Sequence, residues 1–194
     1  MKMYQSTPSF MAGPSFMAGS QQKGFSLVEI LAVMVVIGLL LAGVFALFGG
    51  GLAGSKSIVH NEQLTGLVAG VKSIYTSPSY IGISANQIIM AGKAPTNMVV
   101  GTGTTATLSN PWGGTVTITA GNYSAGTGNA VIIADPQVPV NECNTVVNGV
   151  GPSFNVIKVG ATTVKDDSAG TVLAPSAVIT ACAAGNNTIA FTTT

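Results

Sequence analysis

The segment from Ile30 to Phe48 is nineteen residues long, carries no charge, and is headed by a single carboxylate, Glu29. Wound as a helix together with Leu27 and Val28, it reaches about 33 Å at roughly 1.5 Å per residue, enough to cross the hydrocarbon core of a bilayer. A water-soluble helix has no use for so long an apolar run, and an ordinary membrane span gains nothing from the glutamate. A carboxylate near the end of such a helix costs a few kcal/mol unless a cation meets it or it stays at the interface. Physics alone leaves two readings of Glu29. It is either an interfacial carboxylate on a plain membrane anchor or a group that requires a cationic partner.

The surrounding text is Lys23-Gly24-Phe25-Ser26-Leu27-Val28-Glu29-Ile30. It resembles the processing site of type IV prepilins, in which a dedicated peptidase cuts after the glycine of a Gly-Phe-(Ser/Thr)-Leu-(Val/Ile)-Glu motif. The resemblance implies a cut between Gly24 and Phe25. Phe25 then becomes an N-methylated N-terminus, and Glu29 becomes the fifth residue of the mature chain. It also implies the missing cation, because in that family the glutamate neutralises the terminal amine of a neighbouring subunit when the helices bundle into a filament core. Burying either charge alone would be expensive, whereas the pair is tolerable. Ser26 suits the position, since its hydroxyl can cap the exposed amides of a helix start.

Ahead of the expected cut lie 24 residues with Lys2 and Lys23, no acid, and the hexamer PSFMAG twice in tandem, at Pro8–Gly13 and Pro14–Gly19. Such a Pro/Gly-rich repeat specifies no packed element, and a discarded leader is set aside from fold reasoning. Both lysines precede the apolar run, which favours a cytoplasmic leader and an external C-terminal domain. The rival is a secretory signal peptide cut after Ala46. Its apolar core would be about 7–15 residues, shorter than the run found here.

The mature chain would run from Phe25 to Thr194, long enough for one domain with its own core. The whole chain has seven lysines, no arginine and six acids, so no basic face suggests nucleic-acid binding. Low net charge on a Thr/Gly/Ala-rich chain removes repulsion between copies and suits self-association.

Gly49, Gly50 and Gly51 interrupt the apolar run, each costing up to about 1 kcal/mol relative to alanine in a helix interior. A break is expected there. It is either the loss of regular structure that pilin helices show in filaments or a plain juncture between span and ectodomain. Helical periodicity resumes over residues 52–76, with Leu64, Leu67, Val68, Val71, Ile74 and Tyr75 on one buried stripe. Gly66 and Gly70 could permit close packing, and Ser77-Pro78 ends the helix. His60, the only histidine, is expected on the hydrated side, one turn ahead of Leu64.

From residue 77 on, short β-branched runs separated by Gly, Asn and Pro read as strands and turns, giving an α+β fold. The expected strands are Thr104–Leu108, Thr115–Ala120, Ala130–Ala134, Phe154–Val159 and Thr188–Thr192. The turn Asn110-Pro111-Trp112-Gly113-Gly114 joins the first two, with Trp112 packed on it. Helices are expected over Pro139–Val147 and Pro175–Ala183. The resemblance implies the type IV pilin fold, a long N-terminal α-helix packed on an antiparallel β-sheet domain with one disulfide.

Cys143 and Cys182 are the only cysteines, and the domain that holds them would sit outside the cytoplasm, where thiols are oxidised. A disulfide is expected, closing a loop worth about 4 kcal/mol by loop-entropy scaling. Two distant cysteines and one histidine cannot complete a tetrahedral metal site. Type IV pilins staple their C-terminal region in the same way, around an exposed variable surface that here spans Asn144 to Ala181.

No catalytic or phosphate-binding motif is present, and no enzyme activity, cofactor or metal is expected. Asp166 and Asp167 adjoin in a turn with no third acid, which reads as solvated rather than as a calcium cage. The resemblance implies the major pilin of a type IV pilus, in the type IVb branch with bundlin, toxin-coregulated pilin and conjugative thin-pilus pilins. Implied partners are copies of the chain, a prepilin peptidase, a membrane platform, cytoplasmic ATPases and a host or recipient-cell surface. The prepilin would occupy the inner membrane and the filament the cell exterior. A minor pilin, a type II secretion pseudopilin and a membrane-anchored exoprotein are the alternatives.

Overall fold

The computed structural model describes residues 27–49, 51–75, 79–183 and 185–194, with side chains described within those ranges except over residues 42–55. The expected leader with its repeats, Gly24, Phe25, Gly50 and the Ser77-Pro78 stop lie outside the described residues. The chain divides into two compact units with the boundary between Val44 and Phe45. Helix α1, Leu27–Gly49, begins in the first and runs past the boundary, and α2, Gly51–Ile74, belongs to the second. Among the described residues no helix is long and apolar enough to cross a membrane. The span expected over Ile30–Phe48 extends past the described side chains, which end on α1 at Leu41.

The second unit is built on a seven-stranded antiparallel sheet: β1 Val99–Val100, β2 Thr107–Ser109, β3 Thr115–Gly121, β4 Ala130–Pro139, β5 Val156–Val159, β6 Thr162–Asp166 and β7 Asn186–Thr193. The spatial order is β1-β2-β3-β4-β7-β5-β6, so the C-terminal strand lies in the interior of the sheet between β4 and β5. Alternation explains which faces are buried: Val116 and Ile118 on β3, and Ile189 and Phe191 on β7, are buried while the residues between them are exposed or half-buried. Phe191 packs on Phe154 with ring centroids 4.9 Å apart. Three further helices, α3 Ala85–Met90, α4 Val140–Val150 and α5 Pro175–Ala181, complete the unit.

The β2–β3 hairpin closes through Asn110–Gly114 as expected, with Leu108 opposite Val116. Its first strand is Thr107–Ser109, because Gly103–Thr105 form a 3-10 turn instead of the start of the strand. The strand expected from Phe154 starts at Val156, after another such turn, and β1, β6 and α3 were not expected. β4 runs past Ala134 to Pro139 by way of a bulge between Asp135 and Val138, where Gln137 takes a left-handed backbone with φ 63°. A two-residue alternation cannot be followed through such an insertion.

On α2, Leu64, Leu67 and Val71 are buried as the periodicity implies, while Val68 and Tyr75 are half-buried. Ile74, expected on the same stripe, is exposed because it lies at the last residue of the helix. The two glycines of α2 differ sharply. A Cβ on Gly66 would meet only the Pro95 ring, at 3.7 Å, whereas one on Gly70 would overlap the backbone carbonyl of Lys93. That carbonyl is delivered by the turn after α3, where Gly92 has φ 66° and Lys93 N donates to Ile88 O. We predict that Gly70→Ala lowers stability by about 1–3 kcal/mol through overpacking. Gly66→Ala should be neutral or stabilising by up to about 1 kcal/mol from helix propensity. Thermal unfolding should thus fall for Gly70→Ala and not for Gly66→Ala, and equal shifts would contradict the close approach at Gly70.

Candidate functional site

α1 carries the first candidate. Every described side chain on it, from Leu27 to Leu41, is exposed, with Leu27 at 75%, Met34 at 66% and Leu39 at 69%. Glu29 is in the first turn, where the helix dipole favours an anion. Ile30, Val33, Met34 and Ile37 share its side of the helix and with it line a shallow apolar groove. No hydrogen bond or ion pair of Glu29 is found among the described residues. An apolar helix exposed all round and headed by an unpaired carboxylate cannot rest in water. Such a surface is of the kind that lipid or other helices cover.

The second candidate was not legible in the sequence. His60 is completely buried, which corrects the hydrated position expected for it. Its Nε2 lies 2.7 Å from the Asp135 carboxylate and its Nδ1 lies 3.2 Å from Gln63 Oε1. The Trp112 ring meets it edge-on at 5.1 Å, so Trp112 packs its turn by resting on the imidazole. The other oxygen of Asp135 accepts a hydrogen bond from Asn110 Nδ2 at 2.8 Å. Asn110 in turn organises the β2–β3 turn, since its side-chain oxygen accepts from the amides of Trp112 and Gly114 and its Nδ2 also donates to Pro136 O. One helical turn before His60, the buried Ser57 hydroxyl donates to the buried Glu142 carboxylate on α4. Ordinary alternation along β4 places Asp135 on the buried face that Val131 and Ile133 occupy, and the bulge follows it.

Chemically the cluster is a tie and not a reaction centre. Both nitrogens of His60 are occupied, neither His60 nor Asp135 is accessible to a substrate, and the Ser57 hydroxyl is engaged by Glu142. One signal could have revealed it. Ser57, His60 and Gln63 continue the spacing of Leu64, Leu67 and Val71 back toward the start of α2, so they belong to the buried stripe despite being polar.

The disulfide is formed between Cys143, on α4, and Cys182, just past α5, with Cα atoms 5.8 Å apart. Both cysteines are buried. In the turn after β6, the Ser168 hydroxyl donates to Asp166 at 2.6 Å, and this bond, helped by the amides of Ser168 and Ala169, holds the Asp166 carboxyl below the usual carboxylate range. Lys165 pairs with Asp167 at 3.3 Å and donates to the carbonyl oxygens of Gly151 and Phe154. Among the described residues no group of three or more His, Cys, Asp or Glu side chains is placed to hold a metal ion.

Two families match the chain. The one described as PilS N terminal covers residues 55–194, and the prokaryotic N-terminal methylation motif covers residues 19–45. Among solved structures, the type IVb pilin from Salmonella typhi is 22% identical with a TM-score of 0.56, covering 69% of this chain and 96% of its own. TcpA, a type IV pilin from the El Tor biotype of Vibrio cholerae, is 17% identical with a TM-score of 0.57, covering 72% of this chain and 99% of its own. No curated protein matches the chain.

Proposed function

The chain belongs to the PilS family and has the fold of the type IVb pilins, and from that premise we propose that it is the major subunit of a type IV pilus. It is made as a prepilin in the inner membrane, cut after Gly24 by a prepilin peptidase and methylated on Phe25. It is then polymerised through α1 by a membrane platform and cytoplasmic ATPases. Residues 1–24 are the leader, 25–51 the membrane and later filament-core helix, and 52–194 the head exposed on the filament. The observation that carries this is α1 itself, whose apolar side chains are exposed throughout the described length and whose first turn holds a carboxylate with no partner among the described residues. Lipid covers such a helix before assembly and copies of the helix cover it afterwards. The Phe25 amine of a neighbouring copy is the cation that Glu29 requires. Gly49–Gly51 is where regular helix gives way in the filament, and the head serves adhesion, aggregation or mating-pair contact.

N-terminal sequencing and intact mass of material sheared from the cell surface test processing and assembly together. The expected result is a start at Phe25 with the added mass of one methyl group and two hydrogens fewer for the disulfide. Abundance of that species in sheared filament separates a major from a minor subunit, and a start near Leu47 would sink the proposal. Gly24→Val should block the cut, because the added branched side chain crowds the scissile bond. Only the full-length chain should then be seen in membranes, and a mature-sized band from that variant would place the cut elsewhere.

A further inference from the structure

The inward positions of α2 change character between Gln63 and Leu64. At 57, 60 and 63 they are Ser, His and Gln; at 64, 67 and 71 they are Leu, Leu and Val. The apolar residues of the first stretch face outward, with Ile58 59% and Val59 43% exposed. Residues 56–63 are therefore held to the rest of the unit by hydrogen bonds to Glu142, Asp135 and, through the imidazole, the Trp112 turn, with no buried aliphatic side chain of their own. We propose that this stretch is a polar clasp that undocks and redocks as a unit while residues 64–74 and the sheet stay folded.

Three features favour a separate opening. Hydrogen bonds weaken steeply with distance and angle, so the contacts let go together, and the stretch has no buried aliphatic area to hold it afterwards. The groups released are a buried imidazole and two buried carboxylates, all of which water solvates well, so the open form recovers the solvation that docking forfeits. Water is also at hand: Gln63 and Asn110, both members of the cluster, line an open cavity of about 450 Å³ together with Lys56 and Pro111. The fit to α4 is imperfect in addition. Asn61 Oδ1 is buried without a hydrogen-bond partner among the described residues, pressed beside Gly149. Local opening of this kind gives the chain slack ahead of the apolar half of α2 without unfolding the sheet.

Native-state amide hydrogen exchange on the full chain in detergent micelles tests the clasp. Protection factors of residues 57–63 should lie at least about tenfold below those of 64–71 in the unmodified protein. Asp135→Ala removes the acceptor shared by His60 and Asn110. It should lower protection of 57–63 by about a further tenfold while changing 64–71 less than about threefold. The paired change His60→Leu with Asp135→Leu should raise 57–63 toward the level of 64–71, since the opening would then expose apolar surface. Equal protection across 57–71 in the unmodified protein, or parallel loss across both stretches in Asp135→Ala, would overturn the proposal. If Asp135→Ala fails to fold, the comparison within the unmodified protein decides by itself.

Discussion

Glu29→Val is expected to leave cleavage at Gly24–Phe25 largely intact and to reduce filament sheared from the surface at least about a hundredfold. The physical basis is the asymmetry between burying a charge pair and burying one of its members. In the proposed filament, with Glu29 present, the Phe25 amine of the neighbouring copy enters the apolar bundle against a carboxylate. With valine, it enters alone. Removing one partner of a buried pair costs about 3–5 kcal/mol, and each 1.36 kcal/mol is tenfold in an equilibrium. Cleavage should survive, because in the proposed pathway the cut precedes assembly and the peptidase meets the chain while lipid covers α1. Immunoblots of the membrane and sheared fractions distinguish the two steps. Normal filament yield from Glu29→Val would show that the amine finds another partner or stays hydrated.

Loss of the Cys143–Cys182 disulfide is the second large effect expected. A sequence separation of 39 residues corresponds to about 4 kcal/mol by loop-entropy scaling. For a domain of this size that is roughly a 10 °C fall in unfolding temperature. The local structure makes α5 the weak point. It has seven residues, begins with Pro175, lacks a side-chain N-cap and buries only Val178 of its own residues. Its grip on α4 therefore depends on the covalent bond. Cys143→Ala combined with Cys182→Ala, followed by thermal unfolding and limited proteolysis, should show cleavage between residues 167 and 185 before the sheet unfolds. A fall of under about 3 °C with no new cleavage site would mean that packing alone holds α5.

His60 shows most clearly where reading from sequence stops. A lone histidine among polar neighbours reads as hydrated, and Asp135, in Ala134-Asp135-Pro136-Gln137, reads as the end of a strand. Each is correct for its own segment. The two lie 75 residues apart, and although alternation with Val131 and Ile133 sets Asp135 on the buried face, nothing local to either segment says that an imidazole meets it there. The edge strand β1 and the short β6 were missed for a related reason. Runs of two and five residues carry too little periodicity to rise above turn text, and it is pairing with β2 and β5 that makes them strands.

What the sequence determined by itself is the apolar helix with its carboxylate, the alternation of the main strands, the Asn110–Gly114 turn and the pairing of the only two cysteines. These follow from local periodicity, turn chemistry and a choice with one solution. The tertiary structure decided the strand order that sets β7 inside the sheet, the close approach of Gly70 to Lys93 and the burial of Ser57, His60, Asp135 and Glu142. Each of those depends on which distant segments meet, because burying a polar side chain is costly unless the fold brings it a hydrogen-bond partner.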